Sequence, residues 1–174
     1  MLCWIVKFTF LFYISIILAA RNIPITVDLE TQAIRQLQFL KRVESQVYLW
    51  QSHLLKRAVY RYETFWMPLA ASRQTENLAP PLDVQWMWQC HMLSPRAYIQ
   101  DCKRVAGTID SHTLNTPTEF NKGQEYTRML WTSTNPKERY DLNEHDDDYQ
   151  CGCVDSLLKY NLVSACSRQT DFNY

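Results

Sequence analysis

Glycine is scarce in this chain, and its scarcity excludes two large classes of nucleotide-binding site. The 174 residues contain three glycines, Gly107, Gly123 and Gly152. A phosphate-binding P-loop and the dinucleotide-binding loop of a Rossmann fold both need several glycines within a few residues. These three are too far apart to build either loop, so the sequence predicts neither kind of site.

The chain also lacks a net charge. Lysine plus arginine and aspartate plus glutamate number 18 each, so no basic excess points to nucleic acid or to a membrane surface. Hydrophobic residues make up 47% of the chain, which is typical of a folded globule and not of a disordered chain. At this length we expect one domain with a core of its own.

Cysteine is too sparse to make this a disulfide-dominated fold. If a leader were removed, Cys3 would leave with it and an odd number would remain, which a closed set of disulfides cannot use up. The sequence therefore predicts that core packing holds the fold together. The six cysteines are Cys3, Cys90, Cys102, Cys151, Cys153 and Cys166.

The first 21 residues have the layout of a secretory signal. Lys7 precedes an uncharged run over residues 8–20, which ends in two alanines before Arg21. This pattern predicts a signal peptide or signal anchor, and with it the secretory pathway or attachment to a membrane through residues 1–21. An ordinary buried helix is the alternative. The absence of any Asn-x-Ser/Thr acceptor for N-glycosylation points against secretion.

Between residues 28 and 107 the apolar residues recur every three or four positions, which is the period of α-helices. A first helix begins at about residue 29. Pro68 should end or kink the second helix just after Trp66, because proline cannot donate the backbone hydrogen bond that a helix interior needs.

Prolines also open the next two helices. A proline pair at residues 80–81 can begin the third. Ser94 and Pro95 supply an N-cap and a first turn for the fourth, which Gly107 should end. No useful stretch alternates with the period of two that strands show. The sequence therefore predicts an all-α bundle of about four helices over residues 25–115.

After this module the chain becomes rich in Asn, Thr, Pro and acidic residues, so we interpret residues 116–156 as a linker, with one helix-length patch near residues 125–131. The acidic run at residues 144–148 lacks the alternating acidic positions and central glycine of an EF-hand calcium loop. A solvated acidic segment is the favoured interpretation.

The end of the chain repeats features of the first helix. Residues 160–172 align without gaps on residues 27–39. We interpret residues 157–174 as the first helix of a second copy, truncated by the chain end and without its packing partners. The identical pairs are Leu29 with Leu162, Arg35 with Arg168, Gln36 with Gln169 and Phe39 with Phe172.

His91 is the first candidate for chemistry. With Cys102 and His112 it offers a weak set of zinc or iron ligands, but the adjacent pair Cys90-His91 cannot easily point at one ion from a helix. His91 shares an apolar stripe with Met87, so the favoured interpretation is a buried structural histidine. No cofactor is predicted, with zinc or iron as the alternative.

Cysteine catalysis and nucleic-acid binding have weaker support. Cys102 lies on the buried face of its helix, which favours an inert thiol over a nucleophile paired with His91. The Cys151–Cys153 pair could chelate a soft metal, but incidental loop cysteines are favoured. Two basic helix faces could contact RNA, although such faces are usually solvated surface. They consist of Arg35, Lys41, Arg42, Lys56, Arg57 and Arg61.

Two blocks of sequence, at residues 61–71 and 80–102, resemble the glycine-rich domain-containing protein-like family. The family pattern is Arg-Tyr-Glu-x-Phe-Trp-x-Pro-Leu, then Pro-x-Asp, then Trp-His-x-His-x-Leu-x-Pro-x-x-Tyr-x-x-Asp-Cys, and the match covers about residues 27–112. The motif residues in this chain are Arg61, Tyr62, Glu63, Trp66, Pro68, Asp83, Trp88, Gln89, His91, Pro95, Tyr98, Asp101, Cys102 and Gly107.

The chain departs from the family pattern at Gln89, where the family has its first histidine, and it lacks the glycine-rich tail. The resemblance implies an all-helical module without an established enzymatic activity, linked in plants to stress and development and sometimes found beside RNA-binding segments. It also implies a second helical copy and a cytoplasmic location. We therefore predict a non-enzymatic interaction or scaffolding module with a protein partner. From the residues, we expect Asp83, Tyr98 and Asp101 to be the partners of His91.

Overall fold

The computed structural model of the chain describes residues 28–46, 49, 52–105, 117–142 and 158–171. The described residues contain helices and loops and no strand, so the predicted all-α class is confirmed. The helices are α1 (Leu29–Glu44), α2 (Ser52–Arg61), a π-helical turn (Tyr62–Trp66), α3 (Met67–Ser72), α4 (Leu82–Met92), α5 (Pro95–Val105), α6 (Pro117–Thr134) and α7 (Leu162–Asp171).

Helix α1 begins where the sequence predicts. The Asp28 carboxylate accepts hydrogen bonds from the Thr31 backbone N–H at 3.1 Å and from the Thr31 hydroxyl at 2.6 Å. This satisfies one of the backbone donors that a helix leaves free at its N-terminus. Only Phe39 and Val43 of α1 are buried, so its C-terminal half joins the core and its N-terminal half lies on the surface.

Pro68 does not end its helix, and a π turn precedes it. The Met67 N–H donates to the Tyr62 carbonyl, five residues back, and the helix then continues to Ser72. Proline has no N–H to donate to the carbonyl four residues earlier, and one wider turn absorbs this gap. Helices α2 and α3 thus form one long helix with a π turn, and the described residues between 28 and 105 contain four helices, as expected for this part of the chain.

Helix α4 is the centre of the fold. It packs against α1, α2, α5 and α7, and its buried residues cover the larger part of its circumference. The other side is a half-buried stripe, formed at spacings of three and four by Leu82, Gln85, Gln89 and Met92. Helix α5 folds back on α4 after the corner at Leu93 and Ser94. The buried residues of α4 are Asp83, Val84, Trp86, Met87, Trp88, Cys90 and His91.

Residues 117–142 are part of the core, whereas the linker interpretation placed them outside it. They form α6 and a following loop, and Trp131, Tyr140 and Leu142 are buried. The Tyr140 hydroxyl donates to the Ala79 carbonyl at 2.6 Å, and the Ala79 N–H donates to the Thr127 hydroxyl at 2.9 Å. The linker interpretation of residues 117–142 was wrong. It was based on the polar composition of the segment, whereas a few large aromatic side chains are enough to anchor the segment in the core.

The helix expected near the chain end is present as α7. The Asn161 side chain caps it by accepting from the Ser164 N–H at 2.9 Å. Contrary to the expectation, α7 has packing partners, since it lies against α2 and α4 and buries Leu162, Ala165 and Cys166. The second helical copy stays a prediction.

Several expected features lie outside the described residues. The signal-like segment 1–21, the acidic run 144–148, Gly107, His112 and the Cys151–Cys153 pair all belong to this group. Among the residues that are described, no helix is both long and apolar enough to cross a membrane.

Substitutions on α6 test whether this helix is a structural part of the module. Trp131 is fully buried and Met129, on the same helix, is 67% exposed. We expect Trp131→Ala to lower the free energy of unfolding by about 3–5 kcal/mol, because it leaves a cavity among Phe65, Tyr140 and Arg61. Met129→Ala should change it by less than about 0.5 kcal/mol.

Urea unfolding followed by circular dichroism measures both values. Equal effects of the two substitutions would mean that α6 is not anchored in the core.

Candidate functional site

Three consecutive residues, Arg61, Tyr62 and Glu63, organise the candidate site. They lie where α2 passes into the π turn, and all three are buried. Successive residues of a helix point in directions roughly 100° apart, so each side chain reaches a different part of the chain. Arg61 contacts α4 and the loop after α6, Tyr62 contacts α4, and Glu63 contacts the segment before α7.

Arg61 is fully buried and uses all three guanidinium nitrogens. Its Nε donates to Asp83 Oδ2 at 2.7 Å, and its Nη1 donates to Glu138 Oε1 at 2.6 Å. The backbone carbonyls of Arg139 and Tyr140 accept one bond each, both at 2.6 Å, and Asp83 Oδ1 accepts a longer one from Nη2 at 3.5 Å. Five hydrogen bonds to four residues indicate that Arg61 is held as a structural ion, because each removed bond would leave a buried polar group unsatisfied.

The charge balance around Arg61 is maintained by two carboxylates and a second arginine. Arg57 donates to the same Glu138 oxygen at 3.1 Å. Burial lowers the pKa of Arg61, but the Asp83 and Glu138 carboxylates outweigh burial and raise it above its ordinary value. The Arg61 guanidinium also lies over the Trp131 ring at 5.1 Å.

This arrangement corrects two expectations. The basic face predicted on α2 is not solvated at Arg57 or Arg61, because both side chains turn inward to buried acids, and only Lys56 of that face is exposed. Asp83 is not a partner of His91, since it is used by Arg61. Neither arginine is available to a phosphate, which weakens the RNA-binding alternative.

His91 lies in a cage of aromatic rings. Tyr62 Oη is 3.1 Å from His91 Nδ1, the Tyr160 ring stacks on the imidazole at 5.7 Å, and the Tyr98 ring meets it edge-on at 5.2 Å. His91 is fully buried. The Tyr62 hydroxyl, whose pKa burial raises well above its ordinary value, stays protonated and can either donate or accept. Because His91 Nε2 faces the Asp101 carboxylate, which only accepts, the imidazole proton is assigned to Nε2, and Nδ1 accepts from Tyr62.

Asp101 is the acidic neighbour of His91, as expected from the sequence. Its Oδ2 is 3.6 Å from His91 Nε2, which is an electrostatic contact and too long for a hydrogen bond. Burial lowers the pKa of His91, and Asp101 offsets only part of this effect. Burial raises the pKa of Asp101, but hydrogen bonds from Arg104 and the backbone N–H groups of Lys159 and Tyr160 outweigh it and hold the pKa low.

Asp101 and Glu63 together fasten the segment before α7. Asp101 accepts from the Lys159 and Tyr160 backbone N–H groups at 3.1 Å each, and Glu63 accepts from the Leu158 N–H at 3.1 Å. The Ser94 hydroxyl donates to Tyr160 Oη at 2.7 Å. Carboxylates bind backbone N–H groups strongly, so the acids of the motif act here as anchors for the chain.

The other motif residues divide into core and surface. Trp66 and Trp88 pack at 5.3 Å, and the Trp88 Nε1–H donates to the Tyr98 hydroxyl at 3.0 Å. Gln89 is half-buried, two residues before His91 and therefore on another side of α4. Pro68 and Pro95 are exposed.

Metal and thiol chemistry find little support in this arrangement. Throughout the residues that the structure describes, no three His, Cys, Asp or Glu side chains are placed to hold a metal ion. Burial raises the pKa of the Cys102 thiol, although a hydrogen bond with Tyr98 opposes it. A protonated buried thiol is a poor nucleophile.

Sequence reasoning missed Glu138, Tyr140, Leu158 and Tyr160, which complete the site from segments after residue 116. A signal was present for one of them. Glu138 stands close to the aromatic Tyr140 in the sequence. Two buried arginines, Arg57 and Arg61, need two carboxylates, of which Asp83 is one, but only tertiary contacts pair Glu138 with them.

A sequence model of the glycine-rich domain-containing protein-like family matches residues 16–101 and 97–174 of the chain. The chain is 33% identical over 168 residues to Glycine-rich domain-containing protein 1 of Arabidopsis thaliana, covering 90% of this chain and 20% of that protein. It is 34% identical over 165 residues to Glycine-rich domain-containing protein 2 of the same plant, covering 89% and 21%. The chain thus spans about a fifth of the length of these curated relatives. No solved structure matches.

Replacing Arg61 tests whether its ion network holds the module together. Arg61→Met leaves Asp83 and Glu138 buried with a lost partner, so we expect the free energy of unfolding to fall by about 3–5 kcal/mol. The control, Arg128→Met, removes the surface bridge to Asp141 and should cost less than about 1 kcal/mol. Urea unfolding measures both, and a loss at Arg61 no larger than that at Arg128 would contradict the structural role.

His91 makes stability depend on pH in a defined direction. Because burial lowers its pKa in the folded state, the unfolded chain takes up a proton at higher pH than the folded chain does. The free energy of unfolding should therefore fall as the pH drops below about 6.5, the ordinary value for histidine.

Replacing His91 by Gln should flatten this slope between about pH 5 and 7. Urea titrations across this pH range measure the slope. Persistence of the wild-type slope in His91→Gln would assign the pH dependence to another group.

Proposed function

The chain belongs to the glycine-rich domain-containing protein-like family, and on this basis we propose that it is a non-enzymatic helical module that scaffolds a protein partner. Its motif residues build the module, and its surface carries the partner. The proposed role needs no bound cofactor.

The observation that carries this proposal is the inward use of the chemically capable side chains. Four buried side chains could take part in chemistry: Arg61, Asp83, Asp101 and His91. Each of them contacts another of the four, a backbone group or a tyrosine of the same chain. A catalytic acid, base or nucleophile must reach its substrate. Side chains enclosed on every side in this way are suited to fixing an architecture.

Large apolar side chains of the described residues are exposed at three places. One is Leu29 and Ile34 on α1, at 39% and 48%, and the other two are proposed for the partner. Leu93 and Ile99, at the corner between α4 and α5, are 50% and 52% exposed. Tyr126 and Met129, one turn apart on α6, are 37% and 67% exposed. Large apolar side chains that remain in water are typical anchors of protein interfaces.

The rival function is a metal-dependent or cysteine-based enzyme that uses His91, Cys102 and His112. Elemental analysis of the purified chain separates the two functions. Stoichiometric zinc or iron that is lost in His91→Ala would overturn the scaffolding proposal.

Surface variants test the proposed partner binding directly. Proximity labelling in the source cells, with the full chain as bait, first identifies proteins enriched by the wild type. We expect either Leu93→Asp with Ile99→Asp, or Tyr126→Asp with Met129→Asp, to reduce capture of the main partner at least tenfold. An interface core tolerates no unpaired charge, and a tenfold loss corresponds to about 1.4 kcal/mol.

The matched control is Lys56→Asp. It places the same acid at an exposed position of α2, a helix on which no large apolar side chain is exposed among the described residues, so it should leave capture unchanged. All variants must keep the wild-type circular dichroism and unfolding midpoint. If both double variants capture every partner as the wild type does, neither surface serves as the interface and the proposal fails.

A further inference from the structure

Two buried cysteines from distant parts of the sequence meet in the core. Cys90 lies on α4 and Cys166 on α7, with 2% and 0% of their surfaces exposed. Both are free thiols in the structure. They belong to the contact between α4 and α7, which joins the last described helix to the centre of the fold.

The contacts of Cys166 place it against the face of α4 that carries Cys90. Cys166 Sγ is 3.5 Å from Met87 Sδ, and Met87 is three residues before Cys90 and therefore on the same face of α4. Burial, and after it the neighbouring Cys166 thiol, raise the pKa of Cys90 well above its ordinary value. Cys102, the third buried free cysteine, lies on α5 and interacts with Tyr98 instead.

We propose that Cys90 and Cys166 are a disulfide-forming pair, a covalent modification site that locks α7 onto α4. This inference goes beyond the proposed scaffolding role, because it concerns a covalent state of the module and not its partner. The oxidant is a disulfide, either a small-molecule disulfide such as oxidised glutathione or the disulfide of a thiol oxidoreductase.

The reaction is a two-step thiol–disulfide exchange. One protein thiol loses its proton and attacks the oxidant disulfide, which forms a mixed disulfide and releases one oxidant thiolate. The second protein thiol, also deprotonated, then attacks the protein sulfur of the mixed disulfide and releases the other thiolate. In total the two cysteines lose two protons and two electrons, and the oxidant gains both to become two thiols.

Burial determines when this reaction can occur. Burial raises the pKa of Cys90 well above its ordinary value, and Cys166 raises it further. The docked Cys90 thiol is therefore protonated, and both thiols are enclosed, so the pair reacts when α7 is detached or before it has docked. Docking then brings the two sulfurs together, and the closed core shields the finished bond from reductants.

Refolding in a thiol–disulfide buffer tests the pair. The full chain is reduced, unfolded and refolded with a mixture of reduced and oxidised glutathione, then quenched with acid, alkylated and digested without reduction. We expect mass spectrometry to find a peptide that links Cys90 to Cys166 as the main cross-link between helices. The linked protein should unfold roughly 10 °C higher than the same sample after reduction.

Three variants separate this bond from the other cysteines. Cys166→Ala should lose the linked peptide. It should also lose the contribution of this disulfide to the difference in unfolding temperature between the oxidised and the reduced protein. Cys102→Ala should keep both. If Cys166→Ala fails to fold, Cys166→Ser, which is closer to the native volume, replaces it.

The wild-type result alone can overturn the proposal. Alkylation of both Cys90 and Cys166 in a chain that has refolded to its native circular dichroism would show that the pair does not form. A linked form that unfolds below the reduced form would show that the bond is not compatible with the docked helix.

Discussion

The buried guanidinium of Arg61 is the interaction on which the rest of the structure depends. A cation inside a protein is tolerated only when acids and carbonyl groups replace the water it has lost. Arg61 takes these groups from α4, through Asp83, and from the loop after α6, through Glu138 and two backbone carbonyls. Each element must therefore be in its place before the charge is satisfied, so one side chain couples three segments of the chain.

A second polar centre repeats this arrangement toward the end of the chain. Asp101 binds two backbone N–H groups before α7 and faces His91, and Glu63 binds a third. Because Arg61 and Glu63 are two residues apart on one helix, the two centres share a backbone. The apolar core supplies most of the stabilisation, while these polar contacts define which segment packs where, since a shifted segment would leave a buried charge without its partner.

The residues that resemble a catalytic set, His91, Asp101 and Cys102, are enclosed in these structural contacts. A histidine, an aspartate and a cysteine come from neighbouring helices, yet His91 is enclosed by the rings of Tyr62, Tyr98 and Tyr160. Its 3.6 Å contact with Asp101 is an internal one. The segment around His91 is a structural junction where α4, α5 and the segment before α7 meet.

The sequence by itself determined the helices up to residue 105 and the burial of His91 and Cys102, because apolar spacing, caps and prolines act within a few residues. It also identified Tyr98 and Asp101 as neighbours of His91, since one short corner joins their helices. Only the tertiary structure decided that Asp83 belongs to Arg61, that α6 and Tyr140 enter the core, and that α7 packs on α4. These contacts join residues distant in sequence. Neutralisation of a buried charge selects the partner of Arg61, and apolar packing selects the positions of α6 and α7. No local sequence pattern contains either condition.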